Sequence, residues 1–449
     1  MKLRKITCAA MAAVMAAATL AGCSGGNTAD TTAAGSTAGT EAGGTEAAES
    51  GSGEKVTIEY WHTNSETRGG AAVQSIVDAF NAANPDIEVI TRYNDGYDGL
   101  MQNLQADVAA GKTPDIVQVS YSNIEYFPNN FAYVAPDELM KDYSDTPDFV
   151  TDNFAENIIS LGSDNQGNLV GFPYAVSNPI LYYNKDIFEE AGLTEAPETW
   201  EELREAAMTI KEKTGKNAFH LQENDTWALQ ALLECNGGKM LTWTDGVPTC
   251  TLADPKNEEA FQFYADMTLV DGTSIHISTD EAIQAFNAGE LGMLASSCAN
   301  LSGIEDSAQF EIGTAPFPVF EGEKRAVPAG GCVLAVMSQD DAKKEACAKF
   351  IQYLYEDDNI VEWIAGTGYV APTISSNECQ GMKDLLASDP LMEAAASQVG
   401  DIVPWAAYPG DSGLQAQQYI SDARDQILGG EDVNTALTEA QDRINALFD

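Results

Sequence analysis

The fold is decided by residues 56–90, which run VTIEYWHTNSETRGGAAVQSIVDAFNAANPDIEVI. Val56 to Trp61 alternates polar and apolar side chains, as a half-buried strand does. A helix is predicted next, because apolar residues then recur at the three- and four-residue spacing of one helix face. These residues are Val73, Ile76, Val77 and Phe80. Asn84-Pro85 ends this helix, and Ile87 to Arg92 is predicted as the following strand.

Strand and helix continue to alternate along the chain. Asp98 to Ala110 is predicted as a helix and Asp115 to Val119 as a buried strand. Capping boxes predict helix starts at Thr199 and Ser278, each followed three residues later by a glutamate. The alternation indicates an α/β fold with a largely parallel sheet covered on both faces. The roughly 396 residues from 54 to 449 exceed what one hydrophobic core usually holds, so we expect two lobes.

Residues 1–22 have the pattern of a secretory signal. A positively charged start precedes an apolar, alanine-rich run at 6–20 that is too short to span a membrane stably. The run ends in Leu20-Ala21-Gly22-Cys23, so cleavage before Cys23 leaves an N-terminal cysteine, as lipid transfer to bacterial lipoproteins requires. We predict lipidation, including palmitate, at Cys23 and anchoring to the outer face of the cell membrane. The alternative is an ordinary cleavage site with an incidental cysteine.

Residues 23–54 are predicted to form a flexible linker. After Cys23 they contain almost only Ser, Gly, Thr, Ala and Glu, a composition that buries too little apolar surface to offset chain entropy.

Charge excludes some partners. Without the signal, 20 basic and 69 acidic residues remain, a formal net charge of −49. Nucleic-acid binding needs basic patches, and docking to an anionic bilayer is disfavoured except through a lipid on Cys23. Solubility accounts for the acidity without a specific partner.

Cysteines and catalytic motifs give no sign of a metal, cofactor or active site. None of the cysteines has C-x-x-C spacing, so they either pair, with Cys235 and Cys250 closest in sequence, or stay buried thiols. The cysteines after the linker are Cys235, Cys250, Cys298, Cys332, Cys347 and Cys379. Residues 54–449 contain no P-loop, H-E-x-x-H or G-x-S-x-G motif, so we expect no catalysis. A carboxylate pair of the glycosidase type stays open, because 69 acidic residues produce many chance pairs.

Several motifs in shared order resemble the family 1 extracellular solute-binding proteins. That group includes the maltose-binding and glycerol-3-phosphate-binding receptors of ABC importers, and the likeness covers nearly all of residues 55–449. The motifs are Phe80-Asn81-Ala82-Ala83-Asn84-Pro85, Gly171-Phe172-Pro173-Tyr174, Leu181-Tyr182-Tyr183-Asn184-Lys185-Asp186, Ala191-Gly192-Leu193, Pro197-Glu198-Thr199-Trp200, Phe286-Asn287-Ala288-Gly289-Glu290, Gly330-Gly331, Trp363 and Thr367-Gly368-Tyr369.

The resemblance implies a two-lobed periplasmic-binding-protein fold of type II with a hinge and a ligand cleft. Lobe 1 would comprise 54–175 and 308–357, and lobe 2 would comprise 176–307 and 358–449, with a first crossing at 175–177. It implies a monomeric receptor that closes on a small solute and is read by the permease of an ABC importer.

The same resemblance implies the residues that contact the ligand. They are His62, Asn64, Glu66, Tyr97, Asp98 and Ser120 from lobe 1, and Ser177, Glu223, Trp227, Ser296, Gly330, Gly331, Tyr369 and Trp405 from lobe 2 and the crossings. Other roles stay open for some of them: His62 as a solvent-satisfied side chain, Trp405 as packing, and the glycine pair as backbone geometry alone. Trp61 and Trp200 are expected in the core.

The motifs favour a neutral, hydroxyl-rich ligand. In the glycerol-3-phosphate receptors an arginine meets the phosphate in the segment that matches residues 405–415, and here that segment has no basic residue. Carboxylates at Glu66, Asp98 and Glu223 would repel an anion. We therefore expect a mono- or oligosaccharide or a polyol. The alternatives are a non-sugar solute such as a glycerol phosphodiester, a secreted carbohydrate-active enzyme, and a surface adhesin.

Overall fold

The structure is a computed structural model that describes residues 55–448; the predicted signal and the whole predicted linker, Cys23 included, lie outside them. The strands are β1 Val56–His62, β2 Ile87–Tyr93, β3 Ile116–Ser120, β4 Phe172–Ser177, β5 Pro179–Asn184, β6 Asn217–Leu221, β7 Leu241–Thr244, β8 Val247–Cys250, β9 Leu291–Ser297, β10 Ile312–Pro316, β11 Val327–Pro328, β12 Gly330–Val336 and β13 Ile402–Val403.

The α-helices alternate with these strands through most of the chain and are concentrated at its C-terminal end. They are α1 Ala71–Ala83, α2 Gly96–Ala109, α3 Phe127–Asn130, α4 Pro136–Tyr143, α5 Phe149–Asn153, α6 Glu156–Leu161, α7 Lys185–Ala191, α8 Trp200–Thr214, α9 Trp227–Glu234, α10 Pro255–Leu269, α11 Thr279–Asn287, α12 Leu301–Ser307, α13 Asp341–Leu354, α14 Asp357–Thr367, α15 Ile374–Glu378, α16 Gln380–Ser388, α17 Glu393–Ala396, α18 Gly413–Leu428 and α19 Val433–Asn445.

The first sheet has five strands in the order β2-β1-β3-β12-β4. β1 runs parallel to both β2 and β3, whereas β12 is antiparallel to β3 and β4. The predicted apolar face of α1 is confirmed: Val73, Ile76, Val77 and Phe80 are all buried. Trp61 is also buried, as expected, so this part of the fold follows from local periodicity.

The second sheet has four strands in the order β10-β5-β9-β6. β6 is parallel to β9, and β5 is antiparallel to β9 and β10. Both predicted capping boxes are confirmed. In α8 the Thr199 hydroxyl accepts a hydrogen bond from the Glu202 N–H at 3.1 Å, and Ser278 and Glu281 form the same pair at α11. Trp200, the first residue of α8, is fully buried.

The chain passes between the sheets at Asn178, the single residue between β4 and β5. Asn178 is fully buried, donates through Nδ2 to the Ala395 carbonyl at 2.9 Å, and accepts from Gln398 Nε2 at 3.1 Å. Because both ends of its amide are bonded, the crossing has a defined geometry despite its shortness. It lies next to the predicted crossing at 175–177.

Two elements, β10 and α14, pack in a different lobe from the one that the predicted ranges give them. The lobe ranges as a whole stay a prediction. β10 pairs with β5 over its full length, so residues 312–316 belong to the second sheet, not to lobe 1. Helix α14 packs on the first lobe instead of lobe 2, since Trp363 stacks on Tyr174 of β4 with ring centroids 4.7 Å apart. Both differences come from long-range pairing that local patterns do not encode.

The cysteines and the helix lengths of residues 55–448 bear on disulfide bonds and on membrane crossing. The six cysteines of this range are free thiols, and all but Cys379 are buried. Burial raises the pKa of each of Cys235, Cys298 and Cys332 to about 12, which suits inert core thiols. No helix within this range is long and apolar enough to cross a membrane.

Gly331 on β12 packs too closely against β4 for a side chain, and its replacement should destabilise the fold. Its φ is 113°, and a Cβ there would lie 2.0 Å from the Ala175 carbonyl oxygen. Gly331→Ala should therefore lower the free energy of unfolding by about 2–4 kcal/mol in urea titrations.

Gly303→Ala is the matched control. Gly303 lies inside α12 with ordinary φ and nothing within 4 Å of a Cβ, so alanine should be neutral or stabilise by about 0.5–1 kcal/mol. Equal effects of the two substitutions would show that the close approach of β12 to β4 is absent.

Candidate functional site

A cleft of about 1030 Å³ lies between the two sheets and is lined from both sides. One wall is built by the loops after β1, β2 and β3, and includes Asn64, Tyr97 and Ser120. The facing wall comes from the loops after β6 and β9, together with faces of α11 and α18. Such a cleft can surround a small ligand with groups from two separate sheets.

The topology explains why the cleft forms at this edge. β1 lies between β2 and β3, so the connections that leave β1 and β2 diverge to opposite sides. In open α/β sheets a crevice opens at the carboxyl ends of the strands where the connections diverge. The loop after β1 and the end of β3, which contribute Asn64 and Ser120, lie at this point.

Ten of the fourteen predicted contact residues line the cleft. Their side chains or backbone are brought together from eight separate stretches of sequence. These residues are Asn64, Tyr97, Asp98, Ser120, Ser177, Trp227, Gly330, Gly331, Tyr369 and Trp405.

The other four predicted residues do not line the cleft, and the structure differs from the prediction there. His62 is buried, and its Nδ1 accepts from the Asn64 N–H at 3.2 Å. Glu66 is exposed in the irregular turn Glu66–Gly70. Ser296 is fully buried and donates to Gln222 Oε1 at 2.7 Å.

Glu223 is the fourth of these, and it lies behind the cleft wall. Its carboxylate accepts from the Tyr264 hydroxyl at 2.9 Å and lies 2.6 Å from His276 Nδ1. Arg424 Nη1 donates to the Glu223 carbonyl at 2.7 Å. Burial raises the pKa of Glu223, and the neighbouring Arg424 and His276 oppose that shift. This cluster holds the loop that contributes Gln222 and Asp225 to the cleft.

Gln118 organises the first wall. It is buried on β3, and its Oε1 accepts from the Thr63 N–H at 3.0 Å and from the Thr63 hydroxyl at 3.2 Å. Its Nε2 donates to the Tyr60 hydroxyl at 2.8 Å and to Asn64 Oδ1 at 3.1 Å. Asn64 in turn donates to the Arg68 carbonyl at 3.2 Å. The wall is therefore pre-organised by its own hydrogen bonds.

The second wall offers polar atoms that are not used internally. Gln222 Oε1 accepts from the Ser296 hydroxyl and from the Ser297 N–H, while its Nε2 has no partner among residues 55–448. Asp225 accepts from the Trp227 N–H at 2.9 Å through Oδ1 and leaves Oδ2 without a partner in the same range. Burial raises the pKa of Asp225 to about 6. A ligand here would meet a free donor and a free acceptor.

Acidic groups outnumber basic ones in the cleft. Asp95, Asp98, Asp225 and Asp280 line it, against Arg68, the one basic side chain among the described residues that do so. Arg68 Nη2 donates to Asn300 Oδ1 at 3.1 Å, which joins the loop after β1 to the turn after β9. This hydrogen bond spans the cleft.

The innermost part of the cleft is formed where β12 passes β4. A Cβ on Gly330 would lie 2.5 Å from Ser177 Oγ and 3.3 Å from the Trp227 indole. Glycine therefore lets the strand approach both side chains while it lines the cleft, and its contact with a ligand stays a prediction.

Sequence reasoning missed Arg68, Gln118, Gln222, Asp225 and Asn300. Gln222 and Asn300 each lie within four residues of a predicted contact, so position alone pointed to their neighbourhood without selecting them. Among residues 55–448, no group of three or more His, Cys, Asp or Glu side chains could hold a metal ion.

Buried histidines and Asp225 should give the protein opposing acid responses. Burial lowers the pKa of His62 and His220 to about 4. Below pH 6.5 the unfolded state therefore binds more protons at these sites than the native state does, and the free energy of unfolding decreases as the pH is lowered. Each histidine contributes a slope of up to about 1.4 kcal/mol per pH unit between pH 6.5 and 4. Asp225 has the opposite effect on the free energy of unfolding. Its pKa is raised in the native state, so on acidification the native state binds a proton there before the unfolded state does and is stabilised.

Urea unfolding at pH 7 and pH 5 separates these contributions. His62→Gln should lessen the loss of stability on acidification, and Asp225→Asn should increase it. If His62→Gln leaves the difference between the two pH values unchanged, His62 is not a buried neutral side chain.

Comparison with known proteins gives a consistent relationship. The family model described as "Bacterial extracellular solute-binding protein" matches residues 63–360. The sn-glycerol-3-phosphate-binding periplasmic protein UgpB of Pectobacterium atrosepticum is 26% identical over 89% of this chain and 93% of its own length. The corresponding protein of Salmonella typhimurium is 28% identical over 87% of this chain and 92% of its own length.

Two solved structures share the fold at 25% sequence identity. The cyclic alpha-maltosyl-1,6-maltose binding protein of Arthrobacter globiformis has a TM-score of 0.77 and covers 88% of this chain and 99% of its own. UgpB of Mycobacterium tuberculosis in complex with glycerophosphocholine has a TM-score of 0.75, with 89% and 99% covered. With its two sheets, its intervening cleft and the match over residues 63–360, the chain belongs to the bacterial extracellular solute-binding proteins, of the kind that serve ABC importers.

Proposed function

We propose that this solute-binding protein captures a neutral carbohydrate, preferably an oligosaccharide, and delivers it to the permease of an ABC importer. The observation that carries the proposal is the composition of the cleft, in which indole and phenol rings lie beside carboxylates and amides with a single guanidinium. Sugars present C–H faces that aromatic rings cover and hydroxyls that both donate and accept hydrogen bonds.

Aromatic residues line both walls. Tyr97 comes from the first wall, and Trp227 and Trp405 come from the second. A ring on each side allows a saccharide to be covered when the walls approach, and closure then adds contacts that the open state lacks. Ligand binding would thereby shift the population to the closed form, and the permease would read that form.

The size of the cleft supports a ligand larger than one sugar ring. Its volume of about 1030 Å³ is at the upper end of the usual range for small-molecule sites, about 300–1000 Å³. On α18, Leu414, Gln417 and Ser421 line the cleft at the spacing of one helix face, so the helix extends the lining along its length. A monosaccharide or polyol would leave much of this surface in water.

A glycerol phosphodiester is the second candidate. Arg68 favours it, as does the similarity to proteins whose names specify glycerol 3-phosphate or glycerophosphocholine. An anion would, however, enter a cleft that four aspartates line and in which Arg68 already donates to Asn300. Because negative charges outnumber the one exposed cation, the neutral ligand is preferred.

A binding role without catalysis is part of the proposal. The mechanism needs only contacts, closure and release, since no bond of the solute is made or broken. A secreted carbohydrate-active enzyme would instead release reducing ends from an oligosaccharide during incubation, and an adhesin would bind no small solute.

A thermal-shift screen of residues 54–449 tests the ligand class. A sugar at about 100 times its Kd should stabilise the native state by about 2.7 kcal/mol and raise the Tm accordingly. Trp227→Ala should weaken that sugar about tenfold in calorimetry, because it removes an aromatic surface of the cleft. Trp243→Ala, on the β7–β8 hairpin away from the cleft, is the control and should bind as the parent does.

Glycerol 3-phosphate and glycerophosphocholine form the second arm of that screen, together with Arg68→Met. Stabilisation by a phosphorylated ligand alone, lost in Arg68→Met, would reject the carbohydrate and leave a solute receptor. If oligosaccharides bind no better than monosaccharides, the preference for a longer ligand is wrong.

We also propose that Cys23 carries a lipid that anchors the protein to the outer face of the cell membrane. The support is the motif Leu20-Ala21-Gly22-Cys23, followed by a polar, glycine-rich segment. In a bacterial host, Cys23→Ala should abolish palmitate labelling and move the protein from the detergent phase to the aqueous phase of a Triton X-114 partition. Retention of the label in the variant would contradict the proposal.

A further inference from the structure

Trp405 lines the cleft without a hydrogen bond of its own. Its indole Nε1 is buried and has no partner among residues 55–448. The ring follows β13 in a segment, residues 404–409, that forms no helix or strand. Its position therefore depends on packing and on whatever holds the backbone around it.

Gln230 holds that backbone from both sides of the ring. Its Nε2 donates to the Pro404 carbonyl at 3.0 Å, and its Oε1 accepts from the Ala406 N–H at 2.9 Å. Within the described chain, these are the hydrogen bonds that residues 404–408 make through their backbone. One side chain thus clamps the residue before Trp405 and the residue after it.

The amide of Gln230 is itself fixed in one orientation. Its second Nε2 hydrogen points to Glu234 Oε1 at 3.0 Å, one helical turn along α9. Glu234 is buried and its carboxylate also pairs with Lys239. Because a carboxylate only accepts, it selects the orientation in which Nε2 faces Glu234 and Pro404 while Oε1 faces Ala406. Gln230 is fully buried, so water does not compete for these bonds.

We propose that Gln230 is a positioning residue for ligand binding, which sets the place of Trp405 in the cleft without touching the solute. This rests on the proposed function, in which Trp405 covers part of the ligand. Gln230 itself does not line the cleft. Gln230 is thus a determinant of affinity that lies one layer behind the surface of the cleft.

The same helix also carries the other tryptophan of this wall. Trp227 is the first residue of α9, and its N–H donates to Asp225, so α9 begins at the cleft and Gln230 lies three residues further on. Helix α9 therefore positions both tryptophans: it carries Trp227 itself, and it holds Trp405 through Gln230. Their spacing is set before ligand arrives, which saves part of the ordering cost of binding.

Gln230→Met tests the inference, since methionine retains the length of the side chain and removes its hydrogen bonds. We expect the variant to bind the sugar identified for the parent about tenfold more weakly, and Trp405→Ala to weaken the variant much less than it weakens the parent. In ligand-free protein, acrylamide quenching assigned to Trp405 by difference from Trp405→Phe should rise. Gln230→Glu, which keeps an acceptor for Ala406 and loses the donors, should act in the same direction.

Asn257→Leu is the matched control. Asn257 is a fully buried amide on α10 that donates to the Lys239 and Thr251 carbonyls, at 2.7 Å and 2.9 Å, and lies away from the cleft. It should lose stability but keep the affinity and the quenching of the parent. Circular dichroism and the Tm establish that each variant is folded.

The outcomes separate this inference from the proposed function. Additive losses for Gln230→Met and Trp405→Ala, together with unchanged quenching, would overturn the positioning role. If the parent binds no sugar, the carbohydrate proposal fails, and the quenching in ligand-free protein still decides whether Gln230 positions Trp405.

Discussion

The close approach of β12 to β4 at Gly331 is the constraint on which the rest of the molecule depends. Gly331 lies so near the Ala175 carbonyl that no side chain fits, and its φ of 113° suits glycine alone. This approach joins β4 to the first sheet immediately before Asn178 leads the chain into the second. It also places Gly330 against Ser177 and Trp227, so the passage between the sheets and the innermost part of the cleft are adjacent.

Around that point the two walls differ in how their polar groups are used. On the first wall both the Oε1 and the Nε2 of Gln118 are hydrogen-bonded. These bonds fix the positions of Thr63 and Asn64. On the second wall Gln222 retains a free Nε2 and Asp225 a free carboxylate oxygen within residues 55–448. The first wall is therefore a pre-formed surface, while the second wall presents polar groups with which a ligand can form hydrogen bonds.

Much of the fold could be predicted from local patterns. The apolar face of α1 and both capping boxes are short-range features, and each is where the sequence placed it. The two-lobed arrangement came from the resemblance to a family, since strand partners are far apart in sequence. The misplaced strand β10 shows the limit: its five residues pair with β5, more than 120 positions earlier, and nothing in their composition states which sheet they join.

Most of the predicted site residues line the cleft, and some of the others lie one position away from residues that do; contact with a ligand stays a prediction. Ser296 was predicted where Ser297 lines the cleft, and Glu223 was predicted where its neighbours Gln222 and Asn224 do. Successive side chains of an extended chain point to opposite faces, so an error of one position exchanges the cleft for the layer behind it. Which of two successive side chains points into the cleft is set by which face of β6 and β9 meets the core. That choice depends on helices distant in sequence.

The charges then decide which solutes the cleft can hold. A carboxylate such as Asp225, which is already costly to ionise in its half-buried position, gains most from a neutral donor and loses most from an anion. A hydroxyl can donate to Asp225, and a hydroxyl oxygen can accept from the free amide of Gln222, so the hydroxyls of a sugar suit both open groups of the second wall. Arg68 is the one cation among the described residues that line the cleft, and it faces four aspartates there. The net charge of the cleft therefore disfavours an anionic solute, whereas a hydroxyl-rich one meets open groups without adding charge.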